Sequence, residues 1–323
     1  MLVPVLLFLL GFVLLIEGGD WFVDGATGIA HRFHLPELLI GATVVSIGTT
    51  LPEVMVSAQA ALDHNSGISY GNAIGSIICN TSLIAALTIA IKPGIVKRKT
   101  LILPSVAFFV AALIYSFIAY TTGKFERWQG ILFLCMFVVY MILSIYSMKS
   151  GNVEDDPTDD EEDKKELPFW KELALLVVGA IAIAFGANLL VDNGTIIAEA
   201  LGVPDSVIGL TMVALGTSLP ELVTAITSLM KGHGALSLGN VIGANLFNIV
   251  LVSGAAITIS PFAIPSEKVI NGINSSLVVD IPVMFGVMAL LCVPALLKEK
   301  LFRWQGILLL CIYVAFTLYQ FLY

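Results

Sequence analysis

Long apolar stretches separated by short polar breaks dominate the chain. A helix needs about 20 mostly apolar residues to cross the hydrocarbon core of a bilayer. Ten stretches qualify: 2–30, with a break expected near Gly18 and Gly19, then 37–62, 69–91, 101–120, 128–147, 169–193, 205–230, 236–260, 277–297 and 302–322. The connections are mostly short and carry Gly, Pro, Asn or Lys, residues that punctuate helices. The period-two alternation over about 10 residues that marks a membrane β-strand is absent. The expected fold class is an all-α polytopic membrane protein with ten transmembrane helices. The first stretch has no basic residue ahead of it and runs past the length of a cleavable signal, so it reads as a retained helix.

Composition agrees with that pattern and narrows the function. Of 323 residues, 58% are hydrophobic and 12% charged, against roughly a quarter charged in a soluble domain. This excludes a water-soluble enzyme and a nucleic-acid binder. The basic residues set an orientation. With the N-terminus outside, 13 of the 16 Lys and Arg fall in cytoplasmic segments and 3, Lys124, Arg127 and Lys268, stay outside. Both termini are then expected outside a plasma or inner membrane. The net charge of -8 is local: segment 152–166 holds 9 of the 24 carboxylates and 2 lysines, and so 7 of those 8 charges. It lacks the glycine-centred spacing of an EF-hand loop and reads as a solvated linker more than as a cation sensor. The expected organisation is a five-helix repeat over 1–148, an acidic cytoplasmic linker over 149–168 and a second five-helix repeat over 169–323. Cys79, Cys135, Cys292 and Cys311 all fall inside apolar spans, where buried reduced thiols are expected rather than a disulfide framework. His31, His34, His64 and His233 lie near span edges without metal-ligand spacing.

The chain is internally duplicated. Residues 36–90 align with 204–258 at an offset of 168, pairing Pro36/Pro204, Gly41/Gly209, Thr43/Thr211, Gly48/Gly216, Thr49/Thr217, Pro52/Pro220, Glu53/Glu221, Gly71/Gly239, Asn72/Asn240, Gly75/Gly243 and Asn80/Asn248. The same offset pairs Asp24 with Asp192, and RWQGILFLC at 127–135 returns as RWQGILLLC at 303–311, an offset of 176. Five helices is an odd number, so the second half enters the membrane from the opposite side. Inverted-topology repeats of this kind build secondary transporters, with the site near the midplane on matching helices of the two halves.

Glu53 and Glu221 are the outstanding chemistry. Each lies deep in an apolar span, where a carboxylate is costly unless paired or hydrated, and no Lys or Arg lies inside the central spans to pair with it. The natural counter-charge is a bound cation or a proton. In GTTLPE (48–53) and GTSLPE (216–221) the proline removes a backbone donor, so a helix break exposing carbonyl oxygens is expected. Thr49 and Glu53, like Thr217 and Glu221, are four apart on one helical face, with Thr50 and Ser218 on the adjoining edge. Hydroxyl, carbonyl and carboxylate oxygens suit hard cations such as calcium, and no Cys/His cluster argues for zinc or copper. Asn72, Ser76 and Asn80 form a stripe at intervals of four, as do Asn240, Ala244 and Asn248. Asn80 and Asn248 are the site candidates; Asn72 and Asn240 belong more naturally to a glycine-rich packing face.

The paired blocks GTTLPE…GNAIGS…N and GTSLPE…GNVIGA…N, with GGDWFVDGA at 18–26, resemble the α-repeats of the cation/calcium antiporters, in particular the sodium/calcium exchangers of prokaryotic type. The resemblance implies a ten-helix exchanger that trades sodium for calcium across the lipid bilayer by alternating access; no cofactor is expected, composition already excludes nucleic acid, and nothing in the sequence requires more than a monomer. It implies that Glu53 and Glu221 bind calcium and sodium. Thr49, Thr50, Ser76, Thr217 and Ser218 would supply oxygens, as would the carbonyls of Ser46 and Ala214, and Asn80 and Asn248 would line the centre. Two departures stand out. Asn248 replaces an Asp of many relatives, which argues against potassium co-transport, and Ala244 replaces a Ser that often completes a sodium site. The absence of an acid after GNA argues for sodium over proton coupling. A proton/calcium antiporter of the same fold and a cation channel are the alternative readings.

Overall fold

The computed structural model describes residues 2–149, 167–202, 216–265, 269–270 and 272–322. Among these the chain forms helices α1 (Leu2–Arg32), α2 (Glu37–Leu62), α3 (Ser66–Ile91), α4 (Arg98–Thr122), α5 (Arg127–Lys149) and α6 (Phe169–Ala200). There follow α7 (Leu219–Met230), α8 (Gly234–Ile259), α9 (Ser276–Lys298) and α10 (Arg303–Leu322). Eight of them, α1–α6, α8 and α9, are long and apolar enough to cross a membrane. A two-residue hairpin, β1 (Val269–Ile270) with β2 (Ile273–Asn274), sits before α9. Large apolar side chains cover the periphery: Phe117 is 69% exposed, Ile181 63% and Trp170 75%. A soluble monomer does not expose apolar surface on that scale, which fits a multi-pass membrane protein. Cys79 and Cys292 are buried as expected, whereas Cys135 and Cys311 lie on that exposed rim; all four are free.

α1 and α6 run along each other, and α2, α3, α7 and α8 pack together at the centre, with α4, α5, α9 and α10 around them. At 1.5 Å per residue α1 spans roughly 46 Å, longer than the hydrocarbon core. The expected break near Gly18 and Gly19 does not occur: α1 is continuous. Its glycines instead permit close helix crossing. A Cβ on Gly18 would lie 2.9 Å from Ala182 Cβ, and one on Gly11 would lie 2.8 Å from the Gly186 carbonyl.

The 168 and 176 offsets recur in the contacts. The bridge Ile95–Lys300 has its counterpart in Lys124–Ala263. Leu301 N–H donates to the Gly94 carbonyl at 2.8 Å, and Phe125 N–H to the Phe262 carbonyl at 2.8 Å. Arg303 donates to the Ile91 carbonyl at 3.1 Å and Arg127 to the Ile259 carbonyl at 3.2 Å. The left-handed residues ending α4 and α9, Gly123 and Glu299, are also a pair.

Wide π-helical turns interrupt the central helices. They occupy Gly41–Val45 in α2, Asn80–Ala85 in α3 and Asn248–Ser253 in α8. Such turns are rare and cluster at functional positions. Two of them are braced by a hydroxyl reaching back five residues: Ser46 Oγ donates to the Gly41 carbonyl at 2.7 Å and Ser253 Oγ to the Asn248 carbonyl at 2.9 Å.

Candidate functional site

The site is assembled where α2, α3, α7 and α8 meet. α2 carries Glu53 one residue past Pro52. The break expected there is absent in this half: Ser46–Leu62 is continuous helix with Pro52 inside. The distortion sits about two to three turns earlier, in the π turn, and the missing proline N–H leaves the Gly48 carbonyl without its usual donor. In the other half the expectation holds. Thr217 and Ser218 form a turn, Ser218 has φ -92° and ψ 3°, and helix resumes at Leu219 with Pro220 in its first turn.

Glu53 and Glu221 are both 0% exposed, and neither carboxylate has a hydrogen-bond partner in the protein. They lie within Coulombic reach of each other, and Thr49 faces Glu221 across the boundary between the halves. Around them, Thr50 Oγ1, Ser218 Oγ and both side-chain atoms of Asn80 and of Asn248 are buried and equally unpartnered. A buried polar group without a partner costs about 1–3 kcal/mol and a charge more, so this concentration of orphaned oxygens is not a stabilising feature of the fold. Cys79, next to Asn80, lies near Ser218 and both glutamates.

The remaining expected residues divide. Ser76 is buried, and Thr217 is half-buried. Thr49 Oγ1 donates to Asn240 Oδ1 at 3.2 Å. Ser46 Oγ donates to the Asn240 carbonyl at 2.9 Å as well as to Gly41, so its side chain pins α2 to α8. Ala214 lies outside the described residues. Asn72 and Asn240 have the structural roles expected of them. Asn72 Nδ2 donates to the Glu53 carbonyl at 3.1 Å and to Ser57 Oγ at 2.9 Å, fixing the backbone that presents the carboxylate. Sequence reasoning missed Thr224 and Ser228, which are fully buried with unpartnered hydroxyls. Their spacing of three and seven from Glu221, on one face of α7, was the available signal. Among the described residues no group of three or more His, Cys, Asp or Glu could hold a metal; the cluster is two carboxylates among hydroxyls and amides.

The model of the family described as sodium/calcium exchanger protein matches residues 3–146 and 171–322. The chain belongs to the sodium/calcium exchanger family. Within this family, a sodium/calcium exchanger of Methanosarcina acetivorans is 33% identical, covering 98% of each chain. An uncharacterized membrane protein of Methanocaldococcus jannaschii is 37% identical over 95% of this chain and 94% of its own. A solved structure of the sodium-calcium exchanger NCX_Mj, soaked with sodium and strontium, superposes with a TM-score of 0.81 at 35% identity over 97% of each chain. Exchangers of this family are ion-transporting membrane proteins.

Proposed function

We propose that the chain is a secondary antiporter that exchanges sodium for calcium by alternating access. The ions would bind between Glu53 and Glu221 at the midplane of ten helices arranged as two inverted repeats. The observation that carries the reading is the pair of fully buried carboxylates within Coulombic reach of each other, neither with a hydrogen-bond partner among the described residues. Removing two charges from water costs several kcal/mol per ion after relaxation, and a protein recovers that cost when a cation sits between them. One calcium or two sodium ions neutralise two carboxylates. Thr49, Thr50, Ser76, Thr217, Ser218, Asn80 and Asn248, with the carbonyls of Ser46 and Ala214, add hard oxygens of the type calcium and sodium take. The contacts that recur at the two offsets support the repeat arrangement, and the exchangers among the relatives support the choice of ions. Carrying an unneutralised pair of carboxylates through the membrane is unfavourable, so movement of the site is tied to its occupancy. This makes transport an exchange. Both termini lie outside by the distribution of basic residues, and the working unit is the monomer.

The test is uptake of radiolabelled calcium into proteoliposomes driven by a sodium gradient. Uptake should follow the sodium gradient and fall at least about 100-fold in Glu53→Gln and in Glu221→Gln, each of which removes an interaction with charge. Undiminished uptake in either variant sinks the site. Uptake driven by a proton gradient alone assigns proton coupling, and unitary currents without counter-transport assign a channel.

A further inference from the structure

α5 and α10 open on the repeated RWQG block, and each lies along a site-bearing helix of the other half: α5 along α8, and α10 along α3. The two crossings match. A Cβ on Gly130 would lie 2.6 Å from the Thr258 nitrogen, and one on Gly306 would lie 2.6 Å from the Ala90 nitrogen. Further along α5, the Phe137 ring meets the Phe247 ring edge-on, with centroids 5.1 Å apart. The match of Phe137 in α10, Tyr313, lies beside Cys79. Phe247 and Cys79 are themselves matched, and each immediately precedes a site asparagine, Asn248 or Asn80. The outer helices therefore back the site asparagines from across the duplication.

Tyr140 of α5 adds a contact that this repeat does not require. Its hydroxyl donates to the Ala42 carbonyl at 2.9 Å, with both residues buried. Its ring meets Phe247 edge-on at 5.9 Å. One side chain thus touches α2 of its own half and α8 of the other. α10 carries Phe316 at the matching place, with no hydroxyl to donate, so the fold accepts a phenyl ring at the equivalent position.

Ala42 lies in the π turn Gly41–Val45. Two consecutive carbonyls of that turn are held by hydroxyls: Gly41 by Ser46 Oγ at 2.7 Å, and Ala42 by Tyr140. Helix then runs unbroken from Ser46 through Thr49, Thr50 and Glu53 to Leu62, so the geometry of the turn is passed to those residues as a unit. A full return from π to α geometry would turn that helix by about 100°, the angle of one residue at 3.6 per turn. Even a partial relaxation displaces the Ser46 carbonyl and the Glu53 carboxylate relative to Glu221.

We infer that Tyr140 is a positioning residue for the ion site. Its hydroxyl holds the π turn of α2 in the geometry that presents the Ser46 carbonyl and Glu53, and its ring sets that turn against Phe247, the neighbour of Asn248. Tyr140 touches no ion and acts through the turn. The inference rests on the reading of Glu53 and Ser46 as ion ligands.

Tyr140→Phe removes the hydroxyl and keeps the ring. Tyr146→Phe, at a residue 72% exposed on the same helix, is the control. Equilibrium binding of radiolabelled calcium to the full chain in nanodiscs is read together with the melting curve and amide hydrogen exchange. In Tyr140→Phe the calcium Kd should rise about tenfold, as when a metal ligand loses an outer partner. The thermal midpoint should stay within about 3 °C of the parent. Hydrogen exchange should quicken over 41–47 and not in α4, because only the local opening changes. Tyr146→Phe should match the parent in all three. Parental affinity in Tyr140→Phe overturns the positioning role, whatever the midpoint does. So does weakened binding without faster exchange over 41–47, with faster exchange throughout the chain, or with an equal loss in Tyr146→Phe, since the hydroxyl would then not act through the turn. Glu53→Gln separates the two claims. Parental binding in that variant sinks the ion-site reading, whereas lost binding there beside parental binding in Tyr140→Phe sinks the positioning role alone.

Discussion

Four asparagines in matched positions do two kinds of work, and their hydrogen bonds separate them. Asn72 Nδ2 donates to α2 and Asn240 Oδ1 accepts from Thr49 of α2, the Asn240 Nδ2 being left without a partner, whereas Asn80 and Asn248 are buried with neither side-chain atom bonded. Asn72→Ala should therefore lower stability by about 1–3 kcal/mol, since it removes the donor to the Ser57 hydroxyl and the second donor to the Glu53 carbonyl, and the thermal midpoint should drop. Asn80→Ala removes no bond made within the protein. Its midpoint should stay near the parental value while the calcium concentration for half-maximal exchange rises. A melting curve and an exchange titration on both variants check the pair together; a large loss of stability in Asn80→Ala would make that residue structural. Ala244 offers the complementary experiment. It is fully buried at the place matched to Ser76, so Ala244→Ser restores a hydroxyl in the second half. The expected outcome is a lower sodium concentration for half-maximal exchange, with calcium dependence little changed.

Among the helices, the glycines of α8 permit a close crossing with α2. Gly239→Ala would press a methyl group onto the Leu38 carbonyl. Overpacking of this kind costs about 1–3 kcal/mol, so Gly239→Ala should melt earlier than the parent in a thermal unfolding curve. This close approach of α8 to α2 was invisible in the amino-acid sequence. The spans were legible because hydropathy is a property of the segment itself, and Glu53 and Glu221 because a charge in an apolar run needs no neighbour to be conspicuous. Ion pairs such as Lys231 with Asp24 join residues 207 positions apart, and no periodicity reports them. The continuity of α1 through Gly18 and Gly19 was misread for a related reason: those glycines serve the approach of α6 and Val223, a tertiary demand, rather than a local break.

For the molecule as a whole, the distribution of basic residues is the ground for the proposed orientation. Under it, the Ile95–Lys300 bridge and, by its place in the sequence, segment 152–166 belong to the cytoplasmic side. The acidic segment itself lies outside the described residues, but its composition makes a definite claim: nine carboxylates against two lysines repel one another and stay hydrated. The halves it joins already pack through α1 against α6 and through the four central helices, so their docking does not depend on it. Deleting 154–163 should leave the exchange rate within about twofold of the parent, and a cysteine placed at 155 in the full chain should react with an impermeant reagent only from the cytoplasmic side of oriented vesicles. Labelling from outside would invert the proposed orientation. Loss of calcium-dependent activation on deletion would instead make the segment a sensor, in which case its carboxylates act as low-affinity ligands and not as a tether.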